Sequence, residues 1–284
     1  MSGRGAMPEL PEVETIRRSL RSGNDEKPSL LGKVIRRAEL YWERSLAQPG
    51  KAEFVQRVTG QTIEEIGRRG KFLVFRLNRD ALLVHLRMSG DLWLEDSKAP
   101  IAPHHRAALS FDDGWRLAFN DPRKFGRLWL TSDSAEILGG LGPEPLDEAF
   151  SAADLYERLH SRKRQLKPLL MDQSFLAGLG NIYTDEALNL ARLHPLLSSD
   201  EATPEQSDRL WHSIRVVLED GIRLNGASID WVFRGGDYQN HLRVYGRKDQ
   251  PCRECGTLIQ RITVGQRSTY YCPFCQVIFN PNQL

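Results

Sequence analysis

Cysteine is missing from the first 251 positions of this 284-residue chain. No apolar run comes near the roughly 18–20 residues that a membrane helix needs. The most apolar stretches, Ala81–Leu86 and Leu166–Met171, are far shorter, which excludes a helical membrane protein. A charge excess of one sign is also lacking. The 39 Lys and Arg against 37 Asp and Glu leave a net charge of +2, too mild to announce a nucleic-acid partner by itself. Met1–Ala6 has one positive charge but no apolar core, so no secretory signal is expected and a cytoplasmic address follows. Hydrophobic residues at 40% and charged residues at 27% leave no room for a collagen-like, low-complexity or disordered class. A length of this order predicts two or three domains, each with its own core.

The four cysteines that are present form two pairs, Cys252-Arg-Glu-Cys255 and Cys272-Pro-Phe-Cys275, with 16 residues between the pairs. Each pair offers two sulfurs to one edge of a tetrahedron, which is the spacing of a four-thiolate zinc site. Two disulfides or a redox pair are the alternatives. A cytosolic chain disfavours structural disulfides, and no thioredoxin-like strand and helix surround either pair. Thr257–Val264 and Arg267–Tyr271 read as strands around Gly265-Gln266, so the tail is expected to be a β-hairpin stapled by one zinc. Four protein ligands close the coordination sphere, which makes the metal structural.

Upstream, Pro11 to Leu20 opens as a helix, with proline and acids in the first turn and Val13, Ile16 and Leu20 at helical spacing. From Val34 to Leu130 short β runs alternate with tight turns: Lys71–Leu77, Ala81–Leu86, Ala107–Phe111, Trp115–Phe119 and Gly126–Leu130, with Ala52–Val58 as a helix among them. That spacing predicts an antiparallel sandwich or barrel. Gly139–Pro145 reads as a linker. Beyond it the period becomes helical over Ala152–His160, Leu166–Met171, Ile182–Leu190 and Pro204–Leu224, an all-α domain. Basic residues bunch at Arg17-Arg18, Arg36-Arg37, Arg68-Arg69-Gly70-Lys71, Arg123-Lys124 and Arg162-Lys163-Arg164. Each cluster reads either as a solvated face with ion pairs or as part of a DNA footprint. The Ala177–Tyr183 loop, with two glycines and with Asn181 able to cap the next helix, reads either as a plain capped turn or as a phosphate seat.

Three motifs in order carry a resemblance. Met7-Pro-Glu-Leu-Pro-Glu-Val-Glu-Thr15, Ala177-Gly-Leu-Gly-Asn-Ile-Tyr-Thr-Asp-Glu-Ala187 and the ribbon from Val244 to Cys275 resemble the bacterial formamidopyrimidine-DNA glycosylases. Arg68–Phe72, His85–Gly90, Asp121–Gly126 and Leu141–Leu146 are smaller matches between them. The resemblance implies an α+β multidomain fold: an extension at 1–6, a catalytic antiparallel β-sandwich domain with an N-terminal helix at 7–135, a helix–two-turn–helix DNA-binding domain at 146–230, and a zinc-finger β-hairpin at 246–284. It implies a monomer that acts on damaged double-stranded DNA, with zinc as its one cofactor. The activity implied is removal of 8-oxoguanine and formamidopyrimidines, followed by strand cleavage by β,δ-elimination.

By that resemblance Pro8 is the nucleophile and Schiff-base former, Glu9 the general acid on the opening sugar, Lys71 the proton donor of β-elimination, and Arg267 a phosphate contact tied to δ-elimination. Met88, Arg123 and Phe125 match the trio that fills the void left by a flipped base, and His104, Arg162 and Asn181 match backbone contacts. A terminal amine suits the chemistry because its reference pKa near 7.7–8.0 leaves far more free base at neutral pH than lysine does. Inside a chain the proline nitrogen is an amide whose lone pair is delocalised. The expectation is therefore that the working chain begins at Pro8, after a start at Met7. Phe233–His241 replaces a longer loop that covers the flipped base in many relatives. An endonuclease VIII-like enzyme for oxidised pyrimidines stays open as an alternative, as does a non-catalytic lesion-binding protein if residues 1–6 are retained.

Overall fold

The protein is described from a computed structural model over residues 7–228 and 235–278. It divides into two compact units, Met1–Gly140 with Ala227–Gly236, and Leu141–Gly226 with Asp237–Leu284.

The first unit runs α1 (Leu10–Ser22), β1 (Ile35–Leu40), β2 (Leu46–Gln48), α2 (Lys51–Val58), β3 (Ile63–Arg69), β4 (Phe72–Leu77), β5 (Ala81–His85), β6 (Asp91–Asp96), β7 (His105–Phe111), β8 (Trp115–Asn120), β9 (Arg127–Thr131) and α3 (Ala135–Leu138). One sheet has the order β1-β7-β8-β6 and the other β2-β9-β5-β4-β3. Leu82, Val84, Leu92, Leu109, Leu117, Phe119 and Leu128 from both sheets share one core with Phe54 of α2 and with Val13, Ile16 and Leu20 of α1. The helix forms as its spacing requires: those three apolar side chains face the core, while Pro11 sits in the first turn, where a missing N–H costs nothing. The sandwich is antiparallel except at one edge. The three-residue β2 runs parallel to β9, and Pro49 then ends it because proline cannot donate to a ladder.

The second unit runs α4 (Ala152–His160), α5 (Leu166–Leu170), α6 (Asn181–Leu190), α7 (Pro204–Arg223), β10 (Gln260–Val264) and β11 (Arg267–Tyr271). Ser151 and Thr203 accept hydrogen bonds from the backbone N–H groups of Asp154 and Gln206, capping α4 and α7. The β10–β11 turn has positive φ at both Gly265 and Gln266, the backbone a two-residue hairpin favours, and it places Arg267 directly after the turn.

The helical core and the hairpin are joined by buried polar groups on α5 and α6. Lys167 Nζ donates to Asp185 Oδ1 at 2.6 Å and to the Ser268 carbonyl at 3.0 Å, while Asp185 Oδ2 accepts from Tyr270 N at 2.9 Å. Both side chains of this ion pair are wholly buried. Removing one partner of such a pair typically costs about 3–5 kcal/mol, because the other charge is left stranded. The neighbouring Glu186 carboxylate accepts from the N–H groups of Arg243, Val244 and Tyr245.

Candidate active site and nucleic-acid interface

At the start of α1, Pro8 and Glu9 are both buried. The Glu9 N–H donates to Glu12 Oε2 at 2.8 Å, and Glu12 Oε1 accepts from Ala227 N at 2.7 Å. A single buried carboxylate thus fixes the backbone beside Pro8 and ties it to the segment that begins at Ala227. Glu12 is a residue that sequence reasoning passed over. Its signal was there, an acid three residues after Glu9 in the first turn of a helix.

Lys71 stands just before β4 and is buried. Its position relative to α1 is set by Glu14. That carboxylate accepts from Arg17 Nη2 at 2.7 Å, Arg18 Nε at 2.8 Å and Arg68 Nε at 3.3 Å. Burial opposes its ionisation, yet the arginine hydrogen bonds hold it below the usual carboxylate range. Arg68 Nη1 also donates to the Gly70 carbonyl at 2.9 Å, which braces the turn that presents Lys71. Two of the basic clusters, at 17–18 and 68–69, are thereby partly taken up by an internal acid.

Opposite Phe72 in the ladder stands His85, whose ring packs edge-on against Phe72 at 4.7 Å. Burial, then the charges of Arg87 and Lys71, lower its pKa from 6.5 to about 3. Its Nδ1 accepts from Arg87 N at 3.0 Å, so the neutral ring carries its proton on Nε2. The sign for stability follows: unfolded chain takes up a proton as pH falls below 6.5, whereas the folded chain does not until about 3. The stability held above pH 6.5 is lost as pH falls through that window. Between pH 7 and 4.5 the parent should lose about 2–3 kcal/mol more unfolding free energy than His85→Asn. Denaturant titrations at the two pH values check this, and parallel losses in both proteins would refute it.

The exposed end of the first unit is organised around Asp121, which is fully buried. Ser89 Oγ donates to Asp121 Oδ1, and Arg123 N donates to the same oxygen at 3.2 Å. Asp121 Oδ2 accepts from Gly126 N at 2.7 Å, and Asp121 N donates to the His104 carbonyl at 2.8 Å. Gly126 is required there, since a Cβ would collide with the Phe119 ring. One aspartate therefore gathers four of the predicted positions: the half-buried Met88 beside Ser89, and the exposed His104, Arg123 and Phe125. Arg123 lies over the Phe125 ring at 5.1 Å, and Phe125 is 48% exposed. An aromatic ring left this open beside a cation is unusual for core packing and suits insertion into a base stack.

In the second unit Gly180, not Asn181, is the N-cap of α6. Asn181 is the first helical residue, and its Oδ1 is buried with no hydrogen-bond partner among the described residues. Gln173 holds the preceding loop, donating to the carbonyls of Met171 and Leu179 at 2.9 and 2.8 Å. Arg162 and Arg267 are exposed, and no hydrogen bond or ion pair engages either guanidinium among the described residues. Their neighbours differ: Arg164 pairs with Asp172 and Lys163 with Asp200.

The four cysteine sulfurs lie within 4.8 Å of one another, with Cys255 at 3.5 Å from Cys272 and 3.4 Å from Cys275, and Cys252 at 4.0 Å from Cys275. A zinc with bonds of about 2.3 Å in a tetrahedron sets its sulfurs about 3.8 Å apart, and a disulfide needs about 2 Å. The cluster fits zinc and not two disulfides. Of the shortened loop, residues 229–234 lie outside the described residues, so only its flanks are placed: Gly236 N donates to Ser228 Oγ at 2.8 Å.

Three family profiles cover most of the chain: the formamidopyrimidine-DNA glycosylase N-terminal domain at 7–128, its H2TH domain at 141–232, and the zinc finger found in FPG and IleRS at 249–277. The chain belongs to the formamidopyrimidine-DNA glycosylase family. Among relatives of that name, it is 47% identical to the one from Chloroflexus aggregans over 281 residues, covering 96% of this chain and 99% of the other. The Protochlamydia amoebophila enzyme is 43% identical over 279 residues, covering 95% and 99%. The fold matches a structure of MutM in complex with DNA containing carbocyclic 8-oxo-G, with a TM-score of 0.87 at 37% identity and coverage of 95% of this chain and 100% of that one. It also matches the Lactococcus lactis glycosylase bound to DNA containing FAPY-dG, at 0.87 and 36%, with the same coverage. The family's mixed α+β architecture, with N-terminal β-sheets, a helical domain and a zinc hairpin, is the one observed here. Among the described residues, no helix is long and apolar enough to cross a membrane.

Proposed function

We propose that this chain is a monomeric DNA glycosylase and abasic-site lyase of base excision repair, acting on oxidised purines in duplex DNA. The observation that carries this reading is the placement of Pro8 and Glu9, buried at the head of α1, in one unit with Lys71, the half-buried Met88 and the exposed Arg123 and Phe125. The family's named relatives and the DNA lesions in its solved structures support the purine substrates.

With its amine free, Pro8 attacks the sugar C1′ and the bond to the damaged base breaks. Glu9 delivers a proton to O4′ as the ring opens, leaving an iminium between Pro8 and C1′. The iminium acidifies C2′, whose proton passes to solvent as the C2′–C3′ double bond forms and the 3′ phosphate leaves with a proton from Lys71; a second elimination expels the 5′ phosphate with Arg267 on that group. Met88, Arg123 and Phe125 occupy the gap left by the extruded base. His104, Arg162 and Asn181 hold the phosphate backbone, which fixes register without reading sequence. Zinc holds the hairpin that carries Arg267 and supplies no chemistry to the reaction. The chain works in the cytoplasm, on nucleoid DNA.

The void-filling assignment has a direct test. Extruding a stacked base costs a few kcal/mol, and an abasic site spares part of that cost. Arg123→Ala and Phe125→Ala should therefore slow single-turnover excision of 8-oxoguanine by at least about tenfold more than they slow cleavage of a pre-formed abasic site. Equal slowing on both substrates would remove these residues from base extrusion.

A further inference from the structure

The segment that follows β1 is fastened to the Asp121–Arg127 loop from two sides. Tyr41 N and Trp42 N both donate to the Arg106 carbonyl, at 2.9 and 3.1 Å, and Arg106 Nε donates to the Asp121 carbonyl at 2.7 Å. On the far side, Arg127 Nη1 donates to the Arg44 carbonyl at 2.5 Å. Between these anchors the half-buried Trp42 ring receives Lys124 Nζ at 4.1 Å from its centroid, with the Arg44 guanidinium carbon at 5.8 Å.

Lys124 is the residue between Arg123 and Phe125, and its φ is +63°. A lysine in the left-handed region is held there against its own preference, because its Cβ crowds the backbone. That conformation turns the chain just before Phe125. A cation resting on an aromatic face is an attraction strong enough to help hold such a turn.

We propose that Trp42 is a positioning residue of the wedge loop, holding Lys124 by its ring and thereby setting the Arg123–Phe125 pair for base extrusion. The inference rests on the void-filling role proposed above and adds to it a residue that enters no duplex itself. It also gives Lys124 a function apart from phosphate contact.

The test uses the full chain beginning at Pro8, with duplexes carrying either 8-oxoguanine or an abasic site. Trp42→Ala should slow single-turnover excision of 8-oxoguanine by about fivefold, the scale of a cation–π contact, and slow abasic-site cleavage by less than about twofold. Trp42→Phe, which keeps an aromatic face, should restore most of the rate. Lys124→Gln should reproduce the Trp42→Ala loss, and the double variant should be no slower than either single one. Lys124→Gly relieves the backbone but lacks the cation, so it should be as slow as Lys124→Gln. Phe125→Ala run alongside separates the two readings. If Phe125→Ala is selective for the lesion substrate while Trp42→Ala is not, the Trp42 proposal alone is overturned. If Phe125→Ala is not selective, the void-filling reading fails and the positioning role fails with it. Additive losses in the double variant, or a Trp42→Phe as slow as Trp42→Ala, would likewise overturn it.

Discussion

Protein that begins at Pro8 should form a borohydride-trapped covalent adduct with duplex DNA carrying 8-oxoguanine, and protein that retains residues 1–7 should form none. The reason is electronic. An amide nitrogen has no lone pair to give to C1′, and only a free secondary amine can form the iminium that borohydride reduces. The effect is therefore near all-or-none and not graded. The phosphate contacts assigned to Arg162, Asn181 and Arg267 belong to the other unit. Extended and processed proteins should accordingly show nearly the same slope of log affinity against log salt. Peptide mapping decides the matter. A cross-link on Pro8 of an unprocessed chain would refute the argument, a cross-link on Lys71 would move the nucleophile there, and an extended chain that binds without trapping is the non-catalytic reading realised in one form of the protein.

Stripping zinc, or replacing Cys272 with serine, should abolish excision and lower DNA affinity by at least about tenfold, while leaving most of the helical signal intact. Elemental analysis of the intact protein should find about one zinc per chain. Structural zinc contributes on the order of 10–16 kcal/mol to isolated fingers, more than a short hairpin holds in reserve. Here the damage should spread beyond the hairpin. Cys272 N donates to Gln276 Oε1 at 2.9 Å, and Asn189 Nδ2 of α6 donates to the same oxygen at 2.8 Å. Gln276 Nε2 donates in turn to the Leu193 carbonyl at 2.8 Å. Loss of the metal thus releases the strand that carries Arg267 and the polar seat it occupies on α6. A flatter salt dependence, by about one unit of slope, is the expected signature of one lost phosphate contact. Full activity in protein shown to be free of zinc would overturn the structural role.

Much of the architecture was legible because it is written in local periodicity. Val13, Ile16 and Leu20 mark the buried face of α1, the runs at 72–77 and 81–85 are strands, and the paired cysteines need only their spacing to imply a metal. The hairpin turn at Gly265-Gln266 and the helices beyond position 150 follow from the same kind of short-range signal. The candidate catalytic residues were named by resemblance to a family, since no pattern of neighbours distinguishes Lys71 from any lysine at the edge of a strand.

What only the tertiary structure decided are the pairings between residues far apart in sequence. Glu14 takes up Arg17, Arg18 and Arg68, so basic clusters that looked like footprint are partly internal bracing. Asp121 draws Ser89, His104, Arg123 and Gly126 to one carboxylate and backbone, a convergence that appears in the chain only as an Asp-Pro turn. Lys167 and Asp185, 18 positions apart, are wholly buried against each other and seat the zinc hairpin. Trp42 and Lys124 are 82 positions apart, and nothing in either neighbourhood points to the other. A buried polar group must find its partner wherever the fold brings one, because leaving it unpaired costs more than any local preference can return. The sequence by itself therefore determined which segments are helix, strand and metal knuckle, and the packing of those segments determined which charges remain free to meet DNA.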